Sequence, residues 1–142
     1  MSSNYFAPTV IVTDASVLVP ALCDAGGSGD RARARLLGVT VAAPELVDLE
    51  CLSAIRGLAL SRKLTDAAAQ RATAMLVAAP IRRSPHQPLL ARCWQLRSNL
   101  TAYDASYVAL AELLGVTLVT ADKQLAQAPG LQCPVEILAV AG

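Results

Sequence analysis

The apolar residues of this chain fall into two alternating patterns: short β-branched runs of strand length, and longer stretches in which apolar positions recur at helical spacing. TVIVTD (Thr9 to Asp14) predicts a first strand, and SVLVPALC after it a short helix that Pro20, in its second turn, kinks or shortens. DAGGSGD (Asp24 to Asp30) predicts a loop, DRARARLL a short helix and VTVAAP a second strand. Pro44 suits the first position of a long helix, PELVDLECLSAIRGLALSRK, and TDAAAQRATAMLVAA gives another with Thr65 as N-cap, so the two predict a helical hairpin. IRRS is a weak third strand, followed by a helix from Pro88 to Arg97. LTAYDASYVALAE (Leu100 to Glu112) begins a strong helix that stops near Gly115. VTLVTAD, KQLAQA and PVEILAV then give a fourth strand, a short helix and a last strand.

Strands alternating with helices define a mostly parallel sheet, here of about four to five strands, with helices on both faces: a doubly wound α/β sandwich. In such sheets the site lies at the carboxyl ends of the strands. That rule selects Asp14 and Asp122, because each ends a β-branched run, VIVTD and LVTAD. An acid between strand and helix is also a common N-cap, so each has a purely structural alternative. Asp104 has one too: Thr101-Ala-Tyr-Asp104 matches the capping box, in which Thr caps the helix and the acid three residues on reaches back. Glu50 sits on a helical wheel roughly opposite Leu52, Ile55 and Ala59, which makes a solvated face its default. Periodicity alone does not choose it over Glu45 or Asp48.

Composition narrows the class. At 142 residues, 54% hydrophobic and 16% charged, the chain suits one domain with a sizeable core, residues 1–142 with the core at about 10–140, and is unlike a disordered chain. The longest charge-free runs, such as Met1 to Thr13, fall short of the ~18–20 apolar residues a bilayer requires. The N-terminus MSSNYFAPTV lacks a basic region and a long apolar stretch, so no signal peptide is expected. Four cysteines without a CxxC pair, and a single histidine, His86, argue against a zinc site and for reduced thiols in the cytoplasm. A net charge of +1 and few aromatics predict no broad nucleic-acid footprint, so any groove for RNA is local.

The acids gain weight from their combined contexts: VTDAS, a Pro-led helix containing DLECLSAIR, TAYDASYVALAE and LVTADKQLA. On these four motifs the chain resembles the PIN-domain family, most closely the VapC-like ribonuclease toxins, from about Val10 to Val140. The resemblance implies four catalytic acids, Asp14, Glu50, Asp104 and Asp122, with Ser16 and Thr120 supporting the site and Asp14, Asp104 and Asp122 as metal ligands. It also implies Mg²⁺ or Mn²⁺ as cofactor, a cognate antitoxin as partner, a structured RNA such as tRNA as substrate and a homodimer, with no DNA or membrane partner expected.

The chemistry is consistent with that set. Converging carboxylates repel by roughly 3 kcal/mol per pair at ~6 Å and an effective dielectric of ~20, which calls for a cation. An oxygen-only set suits a hard one. Hydrolysis by water, rather than by the ribose 2′-hydroxyl, predicts 5′-phosphate and 3′-hydroxyl ends; Glu50 or Asp122 is the candidate to orient that water. The alternative is a non-catalytic α/β module binding a partner or ligand, its acids serving as caps. An aspartyl-phosphate enzyme would place a second acid two residues after Asp14, where Ser16 stands.

Remaining features have structural defaults. Arg31, Arg33 and Arg35 cannot share one helix face, since residues two apart point about 200° from each other. Arg82 and Arg83 are candidates to flank a groove. Trp94 is expected in a core or interface, Tyr103 and Tyr107 either line the cleft or pack inward, and His86 is expected to be exposed. GGSG follows a helix rather than a strand, which disfavours a phosphate-binding role.

Overall fold

The computed structural model describes residues 8–140, so residues 1–7, where most of the expected signal-free N-terminus falls, lie outside the description. Five parallel strands form one sheet in the order β3-β2-β1-β4-β5. They are β1 (Thr9–Thr13), β2 (Val39–Pro44), β3 (Arg82–Ser84), β4 (Thr117–Thr120) and β5 (Val135–Ile137). Seven α-helices connect them among the described residues: α1 (Ala15–Cys23), α2 (Gly27–Leu36), α3 (Leu46–Leu60), α4 (Asp66–Ala78), α5 (Leu90–Gln95), α6 (Ala102–Leu114) and α7 (Lys123–Ala126). Among the described residues, no helix is long and apolar enough to cross a membrane.

Alternation along the strands sorts the core into two layers. Ile11, Val41 and Val119 pack with Val17 and Ala21 of α1 and Ala32 of α2. Their neighbours Val12, Ala42 and Leu118 face the other way, toward Val47 and Cys51 of α3 and Val108 of α6. The register Val12↔Ala42 and Val12↔Leu118 keeps those three side chains on one face. Helix α6 is the most enclosed, buried without interruption from Ala105 to Ala111. It starts at Thr101, whose hydroxyl accepts from Asp104 N–H at 3.1 Å, and ends at Gly115, whose φ of 67° is the left-handed turn that glycine adopts without a Cβ clash.

Several local expectations are corrected. Pro44 is the last residue of β2, paired with Ser84, and α3 starts two residues later. The α3 N-terminus is capped from a distance: His86 Nε2 accepts from Leu46 N–H at 3.0 Å, giving this exposed histidine a structural role. Pro20 does not end α1, which continues to Cys23. The expected helix from Pro88 is a short 3₁₀ turn, Gln87–Leu89, running into α5.

GGSG is not all loop, because α2 begins at Gly27. Here Asp24 replaces a standard cap: its carboxylate accepts from Gly26 N–H at 2.8 Å and Gly29 N–H at 3.1 Å. A Cβ on Gly29 would stand 1.8 Å from the Asp24 carbonyl oxygen, so only glycine fits. Gly29→Ala is therefore expected to lower stability by about 2–3 kcal/mol through forced backbone displacement, read as a lower urea midpoint at unchanged slope. A midpoint within error of the parent would contradict that close approach.

The three arginines of α2 serve the fold rather than a basic stripe. Arg31 donates to the Ala139 carbonyl, Arg33 to Asp30 and the carbonyls of Ala21 and Asp24, and Arg35 forks onto Glu136 of β5. Arg83 is similarly held by Asp48 and three carbonyls, while Arg82 stays exposed on β3. Trp94 is 68% exposed, with Arg97 stacked 4.5 Å from its ring centroid, and so is not a core residue.

Candidate active site

The four acids singled out by the sequence come from four separate places in the fold and line one cleft of about 440 Å³. Asp14 directly follows β1 and Asp122 follows β4, adjacent strands whose carboxyl ends open on the same side. Glu50 reaches in from the second turn of α3 and Asp104 from the first turn of α6. Tyr107, one turn after Asp104, completes the wall between them.

Asp14 is the most constrained. It is 7% exposed, and although it occupies the N-cap position of α1 its carboxylate makes no cap bond. Instead Ser16 Oγ–H donates to Oδ1 at 2.6 Å and Thr120 Oγ1–H donates to Oδ2 at 2.7 Å. Both hydroxyl protons are thereby committed, so each hydroxyl oxygen is an acceptor toward everything else. Ser16 accepts from Ala121 N–H at 2.8 Å and Thr120 from Asp122 N–H at 3.1 Å. The two supporting residues thus tie the β4–α7 turn, and with it Asp122, to Asp14.

The other acids are held differently. Asp122 Oδ1 caps α7, accepting from Gln124 N–H at 2.9 Å and Leu125 N–H at 3.3 Å, so the cap alternative holds for one oxygen while Oδ2 is left to the cleft. Asp104 does not close its capping box: Thr101 caps the helix, but the Asp104 carboxylate makes no hydrogen bond among the described residues and faces the cleft instead. Glu50 lies off the expected solvated face. The buried stripe of α3 is Val47, Cys51 and Ile55, with Leu52 exposed, and Glu50 borders that stripe beside Val47. Its carboxylate accepts from the Tyr107 hydroxyl, a partner no local pattern pairs with it across 57 residues.

Burial and mutual repulsion leave this site under-neutralised. Burial raises the Asp14 carboxyl above its ordinary value, outweighing the Ser16 and Thr120 hydrogen bonds, and Asp122 adds to the rise. Glu50 is raised by burial and then by Asp104 and Asp14, against the Tyr107 bond; Asp104 is raised by burial and by Asp122. The negative field reaches the core: Cys51, directly behind Glu50, is pushed up to about 12 by burial first and then by Asp48, Glu50 and Asp14. Tyr107 is raised by burial and by Glu50, which keeps its phenol a donor.

This donor set fits a hard divalent cation. It is all oxygen, and no cation among the described residues faces it within the cleft lining. Nor do three acids, histidines or cysteines stand close enough among the described residues to enclose an ion by themselves. That openness matches the demand of Mg²⁺, which keeps several waters and takes one or two carboxylates with substrate phosphate, more than it matches a closed cage.

The PIN-domain profile matches residues 11–131, and the chain belongs to that family. Its relatives include Ribonuclease VapC1 of Mycobacterium tuberculosis, 41% identical over 128 residues that cover 89% of this chain and 96% of the relative. The fold is similar to VapBC2 from Rickettsia felis, solved bound to a DNA fragment from its promoter, at a TM-score of 0.65 and 13% identity over 92% of this chain and 99% of that one. It is also similar to VapBC-5 of Mycobacterium tuberculosis, a member of the VapBC family of toxin–antitoxin systems, at 0.55 and 24% identity over 92% and 98%.

Proposed function

We propose that this chain, acting as one PIN-like domain over residues 1–142, is a metal-dependent endoribonuclease. It would be the toxin of a toxin–antitoxin pair, with its cognate antitoxin as inhibitor, the cytoplasm as its place of action and a homodimer as its working form. The observation that carries this is the convergence of Asp14, Glu50, Asp104 and Asp122 at the carboxyl ends of β1 and β4. The ribonuclease name of a 41% identical relative supports the reaction class, and the VapBC-5 assembly supports an antitoxin partner. DNA contact by an assembled pair, as in the Rickettsia felis structure, is compatible with this reading.

Asp14, Asp104 and Asp122 would hold Mg²⁺ or Mn²⁺. When bound, the ion supplies positive charge that polarises a phosphoryl oxygen and makes water a better nucleophile. The chain's own residues do the rest. Asp14, fixed through both oxygens, sets the origin of the site, and the Thr120 bridge fixes Asp122 relative to it. Glu50 and Asp122 each present an oxygen not engaged among the described residues, able to orient water and accept its proton. Attack by water expels the 3′ oxygen and leaves a 5′-phosphate.

The test is incubation of the antitoxin-free chain with total tRNA and ribosomal RNA, with and without Mg²⁺ or Mn²⁺, followed by end mapping. Discrete metal-dependent cuts bearing 5′-phosphates are expected. A well-folded protein that cuts nothing and gains no stability from metal would leave the non-catalytic binding module in its place.

A further inference from the structure

Building on the nuclease reading above, we propose that Tyr107 is a positioning residue, whose phenol holds the Glu50 carboxylate in the cleft against repulsion from Asp104 and Asp14. The protein restrains the two acids at the β-strand ends by independent means. Asp14 is gripped through both oxygens, and Asp122 is fixed by two backbone N–H groups. Glu50 has neither kind of support. It extends from a half-buried position on α3 on a side chain with three free torsions, and its only hydrogen bond among the described residues comes from Tyr107. Like charges across the cleft favour its swinging outward into water, where solvation is better.

The placement of Tyr107 is specific for opposing that swing. It lies one turn along α6 from Asp104, so the same helix that presents one acid reaches over to hold another. Tyr107 is buried in the core at 1% exposure, lines the cleft, and has its hydroxyl on Glu50. A hydroxyl on a buried ring is costly without a partner, and phenylalanine would fill the same volume. The phenol therefore earns its place through Glu50. It engages Oε1 and leaves Oε2 without a partner among the described residues, directed by a rigid side chain rather than by its own rotamer preference.

Tyr107→Phe, Glu50→Gln and the double variant separate this role from packing. For Tyr107→Phe we expect kcat to fall about 10- to 100-fold with KM for RNA changed less than about twofold, as misplacement of a reacting group does. The Mn²⁺ concentration that half-saturates thermal stabilisation should rise several-fold while the metal-free Tm is retained. In the Glu50→Gln background the same change should cost nothing further. Glu50→Asp, too short to meet the phenol, should match Tyr107→Phe, which keeps the test valid if the latter proves unstable. Parental kcat and Mn²⁺ dependence in Tyr107→Phe, or losses that multiply in the double variant, would overturn the assignment while leaving the nuclease intact. A parent that neither cuts RNA nor gains stability from Mn²⁺ would instead overturn the nuclease reading, and this role with it.

Discussion

Asp14→Asn is expected to abolish RNA cleavage while making the metal-free protein harder to melt. The activity loss should be about 10²–10³-fold or more, as for removal of a preorganised charge from a reacting centre. The stability gain has a separate cause. Asp14 is 7% exposed, and burial raises its carboxyl despite two hydroxyl donors, so its ionised form is a net burden on the native state at neutral pH. Asparagine keeps the shape, accepts from Ser16 through its carbonyl and offers its N–H to the Thr120 oxygen. A rise in Tm of about 2–4 °C without metal would correspond to roughly 1 kcal/mol for a domain of this size. Melting curves and initial rates on one RNA substrate measure both effects. A variant that is inactive and also clearly less stable would mean that the Asp14 network is mainly structural.

The second large effect is a reversal of pH dependence by metal. Asp14, Glu50 and Asp104 all have folded-state carboxyls raised above their ordinary values of 3.8, 4.5 and 3.8. For an acid raised on folding, the native state binds the proton more tightly than the unfolded chain, so stability increases as pH falls through the folded value toward the ordinary one. Metal-free protein should thus become more stable on mild acidification from neutrality. The gain from Glu50 is complete near its ordinary value of 4.5 and those from Asp14 and Asp104 near 3.8, while below 4.5 Glu112 works against them. Burial alone would raise Glu112, but the Arg92 fork and the Gln132 N–H outweigh it and hold it lowered. Its stabilisation is present above 4.5 and is lost as pH falls through its lowered folded value.

Saturating Mn²⁺ should invert the upper part of that profile. Binding to the native state alone adds RT ln(1 + [L]/Kd), about 2.7 kcal/mol at a hundredfold excess over Kd. Protons compete for the same oxygens, so the metal-bound protein should be most stable near neutrality and lose that gain on acidification. Parallel profiles with and without Mn²⁺ would show that the raised carboxylates are not the metal's ligands.

The sequence carried the strand order's raw material better than the boundaries. VIVTD, VTVAAP and LVTAD are β-branched, short and bounded by turns, and all three are parallel strands flanking one another. The acids at two strand ends were legible for the same reason, since the end of a buried strand is a position composition can mark. What failed was anything set by distant chain. The fixed φ of Pro44 suits the start of a helix, yet pairing with Ser84 keeps it in the sheet. GGSG lacked a local helix signal because its cap, Asp24, precedes the stretch and reaches forward. Periodicity sets Glu50 opposite Leu52, but only Val47, Cys51 and Ile55 define the buried side, a choice made by α6 and the sheet rather than within α3. Tyr107 carried no signal that separates a packed tyrosine from one aimed at an acid, because its partner lies 57 residues away.

The bridge from Thr120 to Asp14 spans 106 residues of sequence. During synthesis β1 emerges early but stays unpaired on its β4 side until nearly the whole chain has been made. At about 5–20 residues per second, that separation corresponds to about 5–20 s in which the first acid exists without its clamp and without Asp122. A nascent chain therefore lacks the assembled acidic cleft, and one interrupted before β4 never acquires it. The topology times the appearance of the acidic cleft to the completion of the polypeptide, the stage at which a folded partner can meet it.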